Sequence, residues 1–575
     1  MKRISENIAI VSSREDPFVQ TQDERPQTLP LGGKRLSPRD LARASVGPVT
    51  PLIDPAQWQR VEMAHRVLLA AAAQGQKIYG LTTGVGANRD QAALQAEDLF
   101  DVFGKLTKAA NAQSEAFNQA LLHTHGAGVG TPAASEIVRT AMIVRLNTVL
   151  SGGSGMSLAT AQGIANMLAR DVMPVIPHRG SVGAADISLL SHMGLVMAGH
   201  WYAHAGEDII PGDLALKNAG LKPIRFVAKD ALAIFNSNAY SAALAIHALE
   251  ELTQIRDMCV PIFALSLEAF NGNVAPLMEE PSDMRPFPFV HNMAQVLRGM
   301  LTGSYLFAPC AARALQDPLS YRTAIYQIGA FDRALNELHN LLEIQINGAD
   351  DNPVVSLGEV SAQTTALAGI QVVDREGLTG AVVPSASFSS LPQTIALQTV
   401  AIALAHVSEG ILKRTIALTD PDMSGLSRFL TGPKGIHGFG ALHKPISAIA
   451  SENRELANPV SLDFETIALG FEDMATNAPR VARRLRRMCR NLTMLLGCEL
   501  MLSAQALDLR LEDNPDLALS PDTRNLHAEY RKKVQFLRAD TFVLSDLIER
   551  STDFVASCRL LGDHFEAPRE AHRKF

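Results

Sequence analysis

The chain has 575 residues, 47% of them hydrophobic and 19% charged, with a net charge of −7. This is ample apolar material for a large core, and the mild acidity argues against nucleic acid or an anionic membrane surface as partner. Five cysteines (Cys259, Cys310, Cys489, Cys498 and Cys558) lack metal-ligand spacing and read as thiols in a reducing compartment.

The opening Met1-Lys2-Arg3-Ile4-Ser5-Glu6 carries no apolar run of signal-peptide length, so a soluble cytoplasmic protein is expected. Residues 1–34 show no hydrophobic period and are expected to form a mobile extension. At Leu36-Ser37-Pro38-Arg39-Asp40-Leu41 a serine cap and a first-turn proline announce a helix. Helical spacing then dominates, over 58–73, 141–150, 231–258, 331–346 and 393–418. In the last of these, Leu397, Val400, Leu404 and Val407 make one stripe and alanines fill the remainder, as in a helix inside a bundle. The uncharged stretch 377–408 is long enough to cross a membrane, but Pro384, Pro392, Gln393, Gln398 and its serines favour burial in protein. Strand-like runs are short, at 224–227 and 381–383, and beyond Pro515 charged helices are separated by prolines.

Isolated polar groups mark the junctions. Ile78-Tyr79-Gly80-Leu81-Thr82-Thr83-Gly84-Val85-Gly86 has neither the spacing nor the lysine of a phosphate loop, but it offers a phenol, which can serve as base or acid or simply as structure. His123-Thr124-His125 has no carboxylate or third ligand nearby, so no metal is expected. Asn236-Ser237-Asn238 places buried amides inside an apolar helix, where they need partners in the core or on a ligand. Gln316-Asp317-Pro318-Leu319-Ser320-Tyr321-Arg322 ends in a guanidinium suited to a carboxylate. Glycine-rich 435–440 precedes Lys444, which stands just before Pro445. Gly180-Ser181-Val182-Gly183-Ala184-Ala185-Asp186 reads as a tight loop opening a buried helix.

Together these motifs resemble the aromatic amino acid ammonia-lyases, the histidine and phenylalanine ammonia-lyase family. Tyr79-Gly80-Leu81-Thr82-Thr83-Gly84-Val85-Gly86 is similar to its Tyr-Gly-x-Asn-Thr-Gly-Phe-Gly loop. His125-Gly126-Ala127-Gly128, Arg145-Leu146-Asn147, Lys229 to Asn236, Gln316-Asp317-Pro318, Asp351-Asn352-Pro353, Ser451-Glu452-Asn453 and Glu472-Asp473 follow in the family's order, over about residues 36–510. The resemblance implies an all-α fold with a long central bundle and a smaller, mixed, loop-rich N-terminal part. It also implies a homotetramer whose active sites draw on several subunits. The implied division is an active-site-loop part over 35–230, a bundle over 231–510 and C-terminal helices over 511–575.

The departures from the family pattern bear on the chemistry. In the family, Ala-Ser-Gly cyclises and dehydrates to a methylidene-imidazolone: the serine loses its hydroxyl and the glycine amide closes the ring. Here the chain reads Ala184-Ala185-Asp186, one residue shorter, without that serine or glycine. No such cofactor is expected to form. A substrate with a quaternary nitrogen brings its own leaving group and does not need the electrophile. The chain therefore resembles the electrophile-less branch that releases trimethylamine from ergothioneine, the betaine of 2-thiohistidine, to give thiourocanate. Tyr79 is expected as base and Arg322 as carboxylate grip, with Glu472 and Lys444, which has no lysine counterpart in the family pattern, expected to hold or protonate the ring. Asn236, Tyr321, Phe388, Phe471 and His125 are the expected substrate-binding residues, the aromatic ones suiting a trimethylammonium group. Another betaine such as histidine betaine, or a non-catalytic relative that binds a small ligand, remains open on the sequence.

Overall fold

The computed structural model describes residues 27–558 apart from 34, 76, 95–98, 102–104, 207, 368 and 376. Most of the expected extension, residues 1–26, thus lies outside the described residues, as does the segment 559–575. Gln27–Leu31, however, is a strand paired in parallel with Val49–Ile53, and it buries Leu29 and Leu31. Its polar composition hides a two-residue alternation too short to register as a period.

Among the described residues the architecture is mostly helical, with four small sheets around a bundle. The spine is Ala239–Phe270, whose alanines 242, 243, 245 and 248 are buried and allow close helix approach. It packs along Ala478–Asp513, and Leu391–Thr419 lies against both that helix and Ala324–Asn347. Leu391–Thr419 and Ala478–Asp513 are long and apolar enough to span a membrane, but most of their apolar surface faces the bundle. Across their contact, Arg414 grips Glu499 through two nitrogens, Nε to Oε1 at 2.5 Å and Nη2 to Oε2 at 3.0 Å. Both residues are buried, so each would carry a large desolvation penalty without the other.

The helices expected over 58–73, 141–150, 331–346 and 393–418 are observed, extended at their starts to Pro55, Ser135, Ala324 and Leu391. The continuous helix expected over 231–258 is broken: Asp230–Phe235 ends before Asn236, and a new helix begins at Ala239. The break is held by Asp350, whose carboxylate accepts from Ser237 Oγ and the Asn238 amide, both at 2.8 Å. The strand expected at 224–227 is irregular chain, whereas 381–383 belongs to Leu378–Val383 in a three-stranded antiparallel sheet.

Candidate active site

The loop Gly180–Asp186 runs between the start of Ala239–Phe270 and the start of Leu391–Thr419. Val182 O accepts from the Thr476 and Asn477 amides (3.2 and 2.7 Å). Gly183 O accepts from Thr476 Oγ1 (3.0 Å) and Ser390 Oγ (3.3 Å). Gly183 has φ +79°, and a Cβ there would collide with Thr476 Oγ1. Ala185 also has a positive φ of 57°, a conformation costing a non-glycine residue on the order of 1 kcal/mol. Asp186 closes the loop. Its buried carboxylate accepts from Ser181 Oγ, Ser241 Oγ and the Ser241 amide, each at 2.7 Å. Burial raises its pKa, against the lowering effect of those hydrogen bonds. The three residues Ala184, Ala185 and Asp186 do not fit the family's electrophile. There is no hydroxyl to lose at Ala185, and the amide nitrogen of Asp186 donates to Ser237 O at 2.7 Å.

Tyr79, His125 and Glu472 come together near this loop. A cavity of about 280 Å³ is walled by Gly84–Asn88, Phe117, His125, Ala468 and Glu472. The Tyr79 phenol accepts from the Gly86 amide at 2.7 Å. Burial pushes its pKa up and Glu472 adds to this, while the Gly86 hydrogen bond and Arg89 act the other way. His125 stacks on buried Phe235 with centroids 5.3 Å apart, its Nδ1 2.8 Å from Leu121 O. Glu472 stands at the end of a tight loop in which Ala468 and Leu469 both have positive φ and Ile467 pairs with Glu472. Phe471 is exposed beneath the Arg89 guanidinium, 4.5 Å from its ring centre. That contact was not foreseeable from sequence, because Arg89 belongs to none of the motifs.

Asn236 is held by Nδ2 donating to Asn352 O at 3.0 Å, and Asn238 Nδ2 donates to Phe388 O. Beneath them lies a buried charge cluster. Arg145 reaches Asp350 (3.2 Å) and Asp351 (2.9 Å), and Lys229 Nζ lies 3.9 Å from Asp351 and donates to Pro353 O at 2.7 Å. Burial lowers the Lys229 pKa to about 8, against the pull of Asp351. The residues Arg145, Lys229 and Asp351 lay within the sequence motifs. Their partnership supports the asparagine-bearing break from below.

The remaining expected residues are elsewhere. Tyr321 is part of the core, stacked on Phe270 with centroids 4.2 Å apart and its hydroxyl 3.3 Å from Ser266 Oγ. Its neighbour Leu319 is the exposed side chain of that turn, at 63%. Arg322 donates to Gln316 Oε1 at 2.7 Å, and its buried Nε has no hydrogen-bond partner. Phe270 ends a 32-residue helix, about 48 Å long, that begins just after Asn236, so Arg322, next to Tyr321, lies toward the far end of that helix from the loop. Exposed Lys444 is at the same far end, since His443 Nε2 lies 2.8 Å from Thr419 Oγ1. Within one chain, Tyr79, His125, Asn236, Phe388, Phe471 and Glu472 form one group, and Arg322 and Lys444 form another.

Comparison with known proteins agrees with this architecture. Residues 36–532 match the aromatic amino acid lyase family. Histidine ammonia-lyase of Gloeobacter violaceus is 32% identical over 540 residues, covering 93% of this chain and 96% of the relative. The structure of the ergothioneine-degrading enzyme ergothionase from Treponema denticola, in complex with desmethyl-ergothioneine sulfonic acid, is similar with TM-score 0.79 and 32% identity, covering 92% of this chain and 99% of that one. Histidine ammonia-lyase from Trypanosoma cruzi shares the fold at 24% identity and TM-score 0.76, covering 92% of this chain and 94% of its own. The chain belongs to the aromatic amino acid lyase family and is a carbon–nitrogen lyase of that fold.

Proposed function

We propose that this protein eliminates trimethylamine from ergothioneine to give thiourocanate, by acid–base chemistry without a methylidene-imidazolone. The observation that carries the reading is the loop. Ala184-Ala185-Asp186 keeps the family's frame, pinned by Ser237, Ser241, Ser390 and Thr476, and lacks the serine hydroxyl and the glycine from which the family builds the electrophile. The similarity to ergothionase supports the same choice of leaving group.

In this reaction Tyr79 takes the β-proton, the Cβ–H electron pair becomes the Cα=Cβ bond, and the Cα–N pair leaves with trimethylamine. A trimethylammonium group departs without prior protonation, so the base carries most of the burden. In one chain, burial and Glu472 hold the phenol up, which opposes a basic Tyr79. Two cations, Arg322 and Lys444 of neighbouring copies, would offset this in a shared site. There Arg322 would bind the carboxylate, Asn236 would orient it, and Lys444 and Glu472 would hold the thioimidazole. His125, Phe388 and Phe471 supply aromatic surface around the quaternary nitrogen.

Such sharing needs a homo-oligomer, and a tetramer is the arrangement proposed. The outer face of Leu391–Thr419 exposes Ile395, Ile402 and Ile416, spaced by multiples of seven, with Glu409 at the intervening heptad position, ion-paired to Lys413 and Arg454; this mixed face is the one offered to another copy. The test is an absorbance assay with ergothioneine, seeking a conjugated product, beside a Tyr79→Phe control. Product from the wild type and almost none from the control is expected. Conversion of histidine to urocanate with ergothioneine untouched would overturn the reading.

A further inference from the structure

We propose that Asp540 is a positioning residue for Lys444, acting through the glycine-rich loop that carries it; the proposal rests on the role given above to Lys444. The loop is built under constraint. Phe429 and Leu430 both have positive φ (55° and 52°), and Gly438 (φ +52°) sits where a Cβ would collide with Phe429 O. Such a conformation persists only when its surroundings fix it.

The surroundings come from the C-terminal segment, beyond residue 532 where the family match ends. The Asp540 carboxylate accepts three successive backbone amides, from Ile436 and His437 (2.7 Å each) and Gly438 (3.2 Å). These hydrogen bonds hold its pKa below the usual range. Four further contacts flank it. The Lys434 amide donates to Arg538 O at 2.8 Å. Gln505 Nε2 donates to Leu537 O (2.9 Å) and Leu430 O (3.3 Å), tying both sides together. Buried Phe439 stacks on Phe542 at 5.4 Å. Gly432 and Gly435 lie where a Cβ would collide with Leu537 O and Asp540 Oδ1.

The clamp ends at Phe439. One turn later, Leu442 is buried and His443 meets Thr419, so the exposed Lys444 emerges from a segment fixed on both sides. Asp540 itself is exposed and touches neither the cavity nor Lys444; its effect on chemistry is the direction in which Lys444 leaves the chain.

The experiment compares Asp540→Ala, Asp540→Asn, Lys444→Ala and the Lys444→Ala/Asp540→Ala double variant in the full-length protein. Asp540→Ala is expected to lower kcat on ergothioneine about tenfold, as a small misplacement of a reacting group does, with KM little changed. Asp540→Asn, which keeps one acceptor oxygen, should recover part of the loss. Against Lys444→Ala, the added Asp540→Ala should cost nothing more. A second, equal loss in the double variant would overturn the proposal, since Asp540 would then act by another route. Two readouts need no turnover: amide exchange over 435–442 should quicken at least about tenfold in Asp540→Ala, and the rate of amine-selective labelling at Lys444 should change. If the wild type left ergothioneine untouched, the functional reading would fail alone. The clamp would stand or fall on exchange and labelling, and unchanged values in both would refute it.

Discussion

Tyr79 stands between opposing influences, with burial and Glu472 raising its pKa and the Gly86 amide and Arg89 lowering it. A phenol so placed is a poor base until further positive charge arrives, which is why its proposed role and the proposed assembly are linked. Tyr79→Phe removes only the hydroxyl and should lower kcat by about 10²–10⁴, with KM less affected, measured by steady-state kinetics on ergothioneine. His247 makes a separate prediction, about stability. Burial, aided by Arg486, lowers its pKa from 6.5 to about 3, and Nε2 lies 2.9 Å from Thr140 Oγ1. The folded value is below the unfolded one, so the stability His247 contributes is whole above about pH 6.5 and is lost as pH falls toward about 3. Unfolding free energies from denaturant titrations between pH 7 and 4 should fall more steeply for the wild type than for His247→Gln, by about 1 kcal/mol per pH unit. Single residues were also where the sequence was most uneven as a guide. Tyr79, His125 and Glu472 stand in motifs, and the last two wall one cavity beside the Gly86 amide from which Tyr79 accepts, whereas Tyr321 carries an aromatic ring into the core that spacing alone cannot tell from a pocket wall.

At the level of elements, the long helices were legible because their apolar stripes are continuous. The break at Asn236–Asn238 was half legible: the buried amides asked for partners, but the partners, Asp350, Asn352 and Phe388, lie more than a hundred residues away. The strand Gln27–Leu31 was hidden because its order comes from pairing with Val49–Ile53. The Arg414–Glu499 pair tests what joins two bundle helices. Arg414→Met leaves Glu499 buried without its cation and should cost about 3–5 kcal/mol in chemical denaturation. Adding Glu499→Leu should return most of that loss, because the desolvated charge is then gone.

At the scale of the whole molecule, the chain separates its proposed site residues between two ends of a bundle. Tyr79, Asn236 and Glu472 are near the Gly180–Asp186 loop, and Arg322 and Lys444 lie at the far end of a 32-residue helix. No sequence pattern states that distance, since each motif is legible without its position in space. If sites are shared, Tyr79→Phe and Arg322→Ala should each be nearly inactive alone. Co-expressed as mixed oligomers, they should regain a substantial fraction of activity, because some sites then draw both intact groups; a mixture no better than its parts would contradict sharing. The central claim concerns the leaving group, and the most direct measurement is the nitrogen product. Purified protein given ergothioneine and, separately, histidine should release trimethylamine from the first in step with thiourocanate, and no ammonia from the second. Ammonia and urocanate from histidine, with no trimethylamine from ergothioneine, would contradict it.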